Sequence, residues 1–107
     1  MDLINQHINE LRELCDDYHV SKLYVFGSVA KDEHDNSSDI DLLVKFNEVD
    51  PLEYFDNYIA LKEKLALLFS RDVDLVEVQT VKNPILKKSI DRDKILVYGR
   101  EDSKMAV

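Results

Sequence analysis

Apolar side chains at Leu3, Ile4, Ile8, Leu11, Leu14, Cys15 and Tyr18 recur at steps of three and four. That period puts them on one stripe of an amphipathic helix over residues 3–18. Leu23-Tyr24-Val25-Phe26 is then continuously apolar and stops at Gly27, as a short buried strand does. Residues 28–31 read as the first turn of a short helix, and 32–38 (DEHDNSS) as a polar loop. Asp39 to Phe46, DIDLLVKF, is rich in branched apolar residues and predicts a second strand. A helix opens at Asp50-Pro51-Leu52-Glu53, where Asp50 is a capping residue and Pro51 suits the first helical position. Its expected core face runs through Leu52, Phe55, Ile59, Leu65, Leu68 and Phe69. Val73 to Val78 alternates apolar and acidic residues and predicts a third strand, with Asp74 and Glu77 on opposite faces. A short helix over 84–90 and a strand over 94–98 complete the order α-β-α-β-α-β-α-β. That order implies one α/β domain with helices covering one face of a small sheet.

Composition narrows the function classes. A chain of 107 residues has room for one core, which excludes separate donor and acceptor domains within it. Fourteen basic against 22 acidic side chains give a net charge of −8. Such acidity disfavours a duplex-binding surface and an anionic membrane face, both of which need a cationic footprint. Cys15 is the sole cysteine, so an intrachain disulfide and a thiolate zinc cluster are excluded. Its place on the apolar stripe reads as a small buried hydrophobe. No signal-peptide pattern or bilayer-length apolar run is evident, and the expectation is a cytoplasmic protein.

The chemistry concentrates between residues 27 and 41. Residues two apart on a strand project to the same face, so Asp39 and Asp41 aim both carboxylates to one side while Ile40 packs on the other. Like charges this close repel unless a cation or a shared proton lies between them. Magnesium is the natural candidate, being a hard cation that takes one or two carboxylates, waters and substrate phosphates. Gly27 at a strand end lets backbone approach a ligand, and the helix start after it presents free N–H groups, with the Ser28 hydroxyl as a further donor. Asp74, set in VDLV as Asp41 is set in IDLLV, is the best remaining carboxylate to complete a metal site.

The order strand, Gly27-Ser28, helix, loop, Ser38-Asp39-Ile40-Asp41-Leu42, helix, Asp74 resembles the nucleotidyltransferase superfamily of DNA polymerase beta. More narrowly, the chain is similar to the minimal, MNT-type nucleotidyltransferases found beside HEPN-domain proteins in prokaryotic toxin–antitoxin pairs. The resemblance runs from the leading helix to KILVYG. It implies a single nucleotidyltransferase domain over 1–107 with a small mixed sheet, residues 99–107 forming a polar tail. It implies two Mg2+ ions, with ATP as the donor. Asp39 and Asp41 would hold the ions that carry the triphosphate, and Asp74 would help bind the second ion and draw a proton from the acceptor. Gly27 and Ser28 would hold the β- and γ-phosphates. Lys31 stands where many relatives carry arginine, and as a point charge it lacks the bidentate fork. The implied acceptor is a hydroxyl of a HEPN-type toxin, which makes the chain an antitoxin working within a homo- or hetero-oligomer. Two other functions remain open: neutralisation of the partner by occlusion without catalysis, and nucleotidyl transfer to a small molecule.

Other features have plainer readings. His34 sits among acids in the polar loop and reads as solvated. Lys82, Lys87, Lys88, Arg92 and Lys94 form a basic segment that reads first as a solvated helix face. Tyr54, Phe55 and Tyr58 make an aromatic cluster explained mostly by core packing.

Overall fold

In the computed structural model, residues 2–31 and 39–100 are described, Ser28 by its backbone alone. His34 of the polar loop, Ser38 and the tail beyond residue 100 lie outside the described residues. Four apolar stretches become strands: β1 (Val20–Phe26), β2 (Ile40–Phe46), β3 (Val73–Glu77) and β4 (Ile95–Tyr98). They form one mixed sheet in the order β3-β2-β1-β4. β1 runs antiparallel to β2 and to β4, whereas β2 and β3 are parallel. Parallel neighbours need a long crossover, and helix α4 (Pro51–Phe69) supplies it. The Asp50 side chain caps α4 by accepting from the Leu52 N–H at 2.9 Å.

Strand alternation divides the apolar side chains between two faces. One face carries Leu23, Val25, Ile40, Leu42, Val44, Val73 and Leu75, packed on Ile4, Leu11, Cys15, Leu61, Leu65 and Phe69 from the helices. The helices on that side are α1 (Asp2–Gln6), α2 (Ile8–Asp17) and α4. The opposite face has a smaller cluster, Tyr24, Leu43 and Ile90, the last from helix α5 (Pro84–Asp93). Helices therefore pack mainly on one face. Burial pushes the Cys15 thiol up to about 12, with Asp16 adding to the shift, so the group stays protonated and acts as a small core hydrophobe.

Three expectations change. The leading helix is two helices parted by a turn at His7, whose N–H donates to the Ile4 carbonyl, yet the stripe stays inward. Residue Val78 leaves the third strand for a 3-10 turn over Val78–Thr80. The core face of α4 is also misassigned: Leu52 is 91% exposed and Phe55 70%, while Leu61, Leu65 and Phe69 are buried. Rotation about the helix axis explains this. At roughly 100° per residue, Leu52 and Phe55 lie off the row of Leu61, Leu65 and Phe69. Tyr54 and Tyr58, which continue that row, meet the sheet at Phe46 and at the Leu75 carbonyl. Among the described residues, no helix is long and apolar enough to cross a membrane.

Candidate active site at the acidic end of the sheet

β1 ends at Phe26, directly opposite Asp41 on β2. Gly27 then turns the chain with φ +71°, in the left-handed region that glycine tolerates. A Cβ at this position would overlap a carboxylate oxygen of Asp41 and lie 3.2 Å from its Cγ. Glycine is thus required twice over, by the backbone turn and by the carboxylate packed against it. The short helix α3 (Gly27–Ala30) starts here, so backbone and an acidic side chain meet at one corner of the sheet.

The parallel pairing of β2 with β3 sets Asp41 level with Asp74. Side chains level with each other on adjacent strands share a face, and the strands lie about 4.8 Å apart. Asp39 precedes Asp41 by two residues and is exposed, whereas Ile40 between them is fully buried on the helix-covered face. The three carboxylates therefore gather on the open side. Asp41 is half-buried, and its carboxyl is pushed above the ordinary carboxylate range by burial first, then by the charges of Asp74 and Asp39. Ionised, the group is held against both desolvation and repulsion, which is a setting that a cation relieves.

Among the described residues, no three acidic, imidazole or thiol groups converge tightly enough to chelate an ion unaided. The carboxylates at hand are Asp41 and Asp74, level across the parallel ladder, with Asp39 two residues before Asp41. Single carboxylates leave coordination positions for water and phosphate oxygens, as magnesium demands, and a closed zinc-type cage does not form. The residues fit a hard divalent cation that arrives with a phosphorylated ligand. Beside them, Asp39 and Asp74 line a cleft of about 540 Å³ together with Ile59, Lys62, Glu63 and Asp72. That volume suits a small-molecule ligand.

Lys31 points elsewhere. Its Nζ is 3.3 Å from Asp93 Oδ2 at the end of α5, which ties the residue after α3 to the open-face helix. Arg92, and then Lys31, hold the Asp93 carboxyl below its usual range. The structure thus brings together Gly27, Asp39, Asp41 and Asp74, and it links Lys31 to α5.

Two further residues at this corner escaped the sequence. The Tyr58 hydroxyl donates to the Leu75 carbonyl, fastening α4 to the strand that carries Asp74. Burial, with Asp74 next, raises that phenol above its usual range. Lys62 contributes a cation to the cleft wall. Both lie on α4, and only the crossover geometry brings them to the carboxylates. Nothing local marks Lys62, and Tyr58 stands out only as part of the aromatic cluster read as core packing.

A family model described as polymerase beta, nucleotidyltransferase matches residues 9–103. The chain belongs to that family. This nucleotidyltransferase is 40% identical over 97 residues to a Methanocaldococcus jannaschii relative inferred to be a protein adenylyltransferase, covering 90% of this chain and 92% of the relative. It is 38% identical over 85 residues to the protein adenylyltransferase MntA of Thermococcus cleftensis, covering 79% and 80% of the two chains. Its fold matches a solved minimal nucleotidyltransferase, itself named by inference, with a TM-score of 0.72 and 33% identity over 89% of this chain and 95% of that one. A toxin–antitoxin structure with AMP-PNP aligns with a TM-score of 0.66 at 25% identity, over 92% of this chain and 78% of the other.

Proposed function

We propose that this nucleotidyltransferase is a magnesium-dependent protein adenylyltransferase that moves AMP from ATP to a hydroxyl of a HEPN-type partner, and so acts as an antitoxin. The observation that carries the reading is the level pairing of Asp41 with Asp74, beside Asp39 and against Gly27. Asp39, Asp41 and Asp74 would hold two magnesium ions. When bound, such ions neutralise the triphosphate and stabilise the attacking and leaving oxygens together.

The chain's own residues do the rest. Gly27 and Ser28 seat the β- and γ-phosphates where the backbone turns into α3. Asp74, exposed on the edge strand, accepts the proton of the acceptor hydroxyl. The acceptor oxygen bonds to the α-phosphorus, the bond from that phosphorus to the bridging oxygen breaks, and pyrophosphate leaves with the electron pair. Lys31, whose Nζ pairs with Asp93, would serve the phosphates as a point charge only on leaving that ion pair. The matched relatives named as adenylyltransferases support AMP as the group moved, and the toxin–antitoxin neighbour supports a protein acceptor. One domain, 1–107, would carry the whole donor half-site while the partner supplies the acceptor. The single buried cysteine suits a reducing, cytoplasmic setting.

The test is to co-express the chain with its HEPN-type partner and weigh the partner intact. The expected result is a gain of one or more AMP units that disappears in the Asp39→Asn/Asp41→Asn double variant. An unmodified partner that is still neutralised by the double variant would replace catalysis with occlusion. Incubation with labelled ATP and small hydroxyl acceptors checks the remaining acceptor class, and no label should transfer.

A further inference from the structure

Asp41 and Asp74 stand level, yet the strands that carry them are held to different degrees. Asp41 lies on β2, which is paired on both sides, with β1 and with β3. Asp74 lies on β3, an edge strand paired with β2 alone. The two carboxylates repel each other across that single ladder, and like charges level on adjacent strands weaken strand pairing. The repulsion therefore presses outward on the strand that has least to hold it.

Backbone direction shows what opposes that pressure. The Ile40 N–H donates to the Asp72 carbonyl at 3.0 Å. In a parallel ladder where Ile40 is level with Val73, that bond turns the backbone groups of Asp74 and Val76 towards β2 and those of Val73 and Leu75 outwards. Outward groups of an edge strand have no ladder partner. The Tyr58 hydroxyl supplies one, donating from α4 to the Leu75 carbonyl immediately beyond Asp74. It bonds where a further strand would bond. The Tyr58 ring packs against the main core, so the hydroxyl is anchored at its base. α4 is tied separately to the end of α2, where Asn57 Nδ2 donates to the Tyr18 carbonyl at 2.8 Å.

We propose that Tyr58 is a positioning residue, whose hydroxyl holds the edge strand so that Asp74 stays level with Asp41. The consequence for rate rests on the proposed nucleotidyl transfer, in which Asp74 takes the acceptor's proton; the fastening of β3 does not. Proton transfer needs its partners within hydrogen-bond reach, roughly 2.6–3.2 Å. A misplacement of about 1 Å costs on the order of a hundredfold in rate. Gly27 and Asp39 lie outside β3, so donor binding does not follow the Tyr58 bond.

Two variants of the full chain test this. Tyr58→Phe removes the hydroxyl and keeps the ring, whereas Asn57→Ala breaks the neighbouring tie of α4 and leaves β3 untouched. In EDTA, hydrogen exchange followed by NMR should quicken about fivefold at the Asp74 and Val76 amides of Tyr58→Phe, with the β1 amides unchanged. No change at β3, or an equal change across the sheet, would overturn the fastening. With magnesium, ATP and the HEPN-type partner, Tyr58→Phe should lower kcat for adenylylation about tenfold or more while KM for ATP stays within about twofold. Asn57→Ala should keep kcat within about twofold of wild type. An unchanged kcat in Tyr58→Phe, an equal loss in Asn57→Ala, or a loss carried by KM alone would overturn the positioning role. A wild-type chain that transfers no AMP would sink the adenylyltransferase reading, and the exchange rates would then decide by themselves whether Tyr58 holds β3.

Discussion

The two faces of this sheet are built from alternate residues of the same strands and serve opposite ends. On the helix-covered face, Ile40, Leu42 and Val44 are fully buried against α2 and α4, and apolar contact holds the fold together. On the open face the intervening positions carry Asp41 and Lys45, with Leu43 between them in a much smaller cluster. Like charges oppose one another at the acidic end of that side, Asp41 against Asp74. The lesson is that one face supplies the stability that the other consumes in holding like charges together.

The comparison can be broken first on the covered face. Leu65→Ala removes a fully buried side chain and should cost about 2–5 kcal/mol in urea denaturation. A loss near zero would mean that the helix-covered core does not carry the fold. Next comes the corner where the faces meet. Gly27→Ala places a Cβ at φ +71° and into the Asp41 carboxylate, for an expected loss of about 1–3 kcal/mol. Partner adenylylation, read by intact mass, should fall with it.

A substitution on the open face should act with the opposite sign. The Asp41 carboxyl is raised in the folded chain, chiefly by burial, so the native state binds its proton more tightly than the unfolded state does. That contribution is complete below the unfolded pKa and is lost as pH rises through the folded one. At pH 7 the ionised group therefore opposes folding. Asp41→Asn should raise Tm in EDTA at pH 7 while abolishing transfer, and the gain should fade as pH drops below about 4. Added magnesium should narrow the difference by stabilising only the wild type. The smallest effect belongs to Leu52→Ala on the solvent-exposed side of the first turn of α4, expected within about 0.5 kcal/mol of wild type. A larger loss would return Leu52 to the core.

Much of this arrangement was legible in local pattern. Period-two alternation sufficed to place Asp39 and Asp41 on one face with Ile40 buried behind them, and the period-three-and-four stripe identified Ile4, Leu11 and Cys15 as core. The same periodicity failed for Leu52 and Phe55. α4 carries apolar residues on more than one side, and period alone does not say which side meets the sheet: Tyr54 and Tyr58 do, while Leu52 and Phe55 do not. Lys31 shows a similar limit. Its place at the phosphates is implied by the resemblance alone, while its ion pair with Asp93 joins segments far apart in the chain. The basic segment 82–94 reads as a solvated face, and Lys82, Lys87, Lys88 and Arg92 are exposed, with Lys87 and Lys94 paired to Asp91.

By itself the sequence determined most of the elements, the alternation of Asp39 and Asp41 about Ile40, and the turn at Gly27, because each follows from neighbours within a few residues. The tertiary structure decided that Asp74 stands level with Asp41 and that Tyr58 fastens its strand. Those outcomes depend on a parallel register reached through a 19-residue crossover. Such long-range pairings are selected by the packing of the whole core, and no short window of the chain contains them.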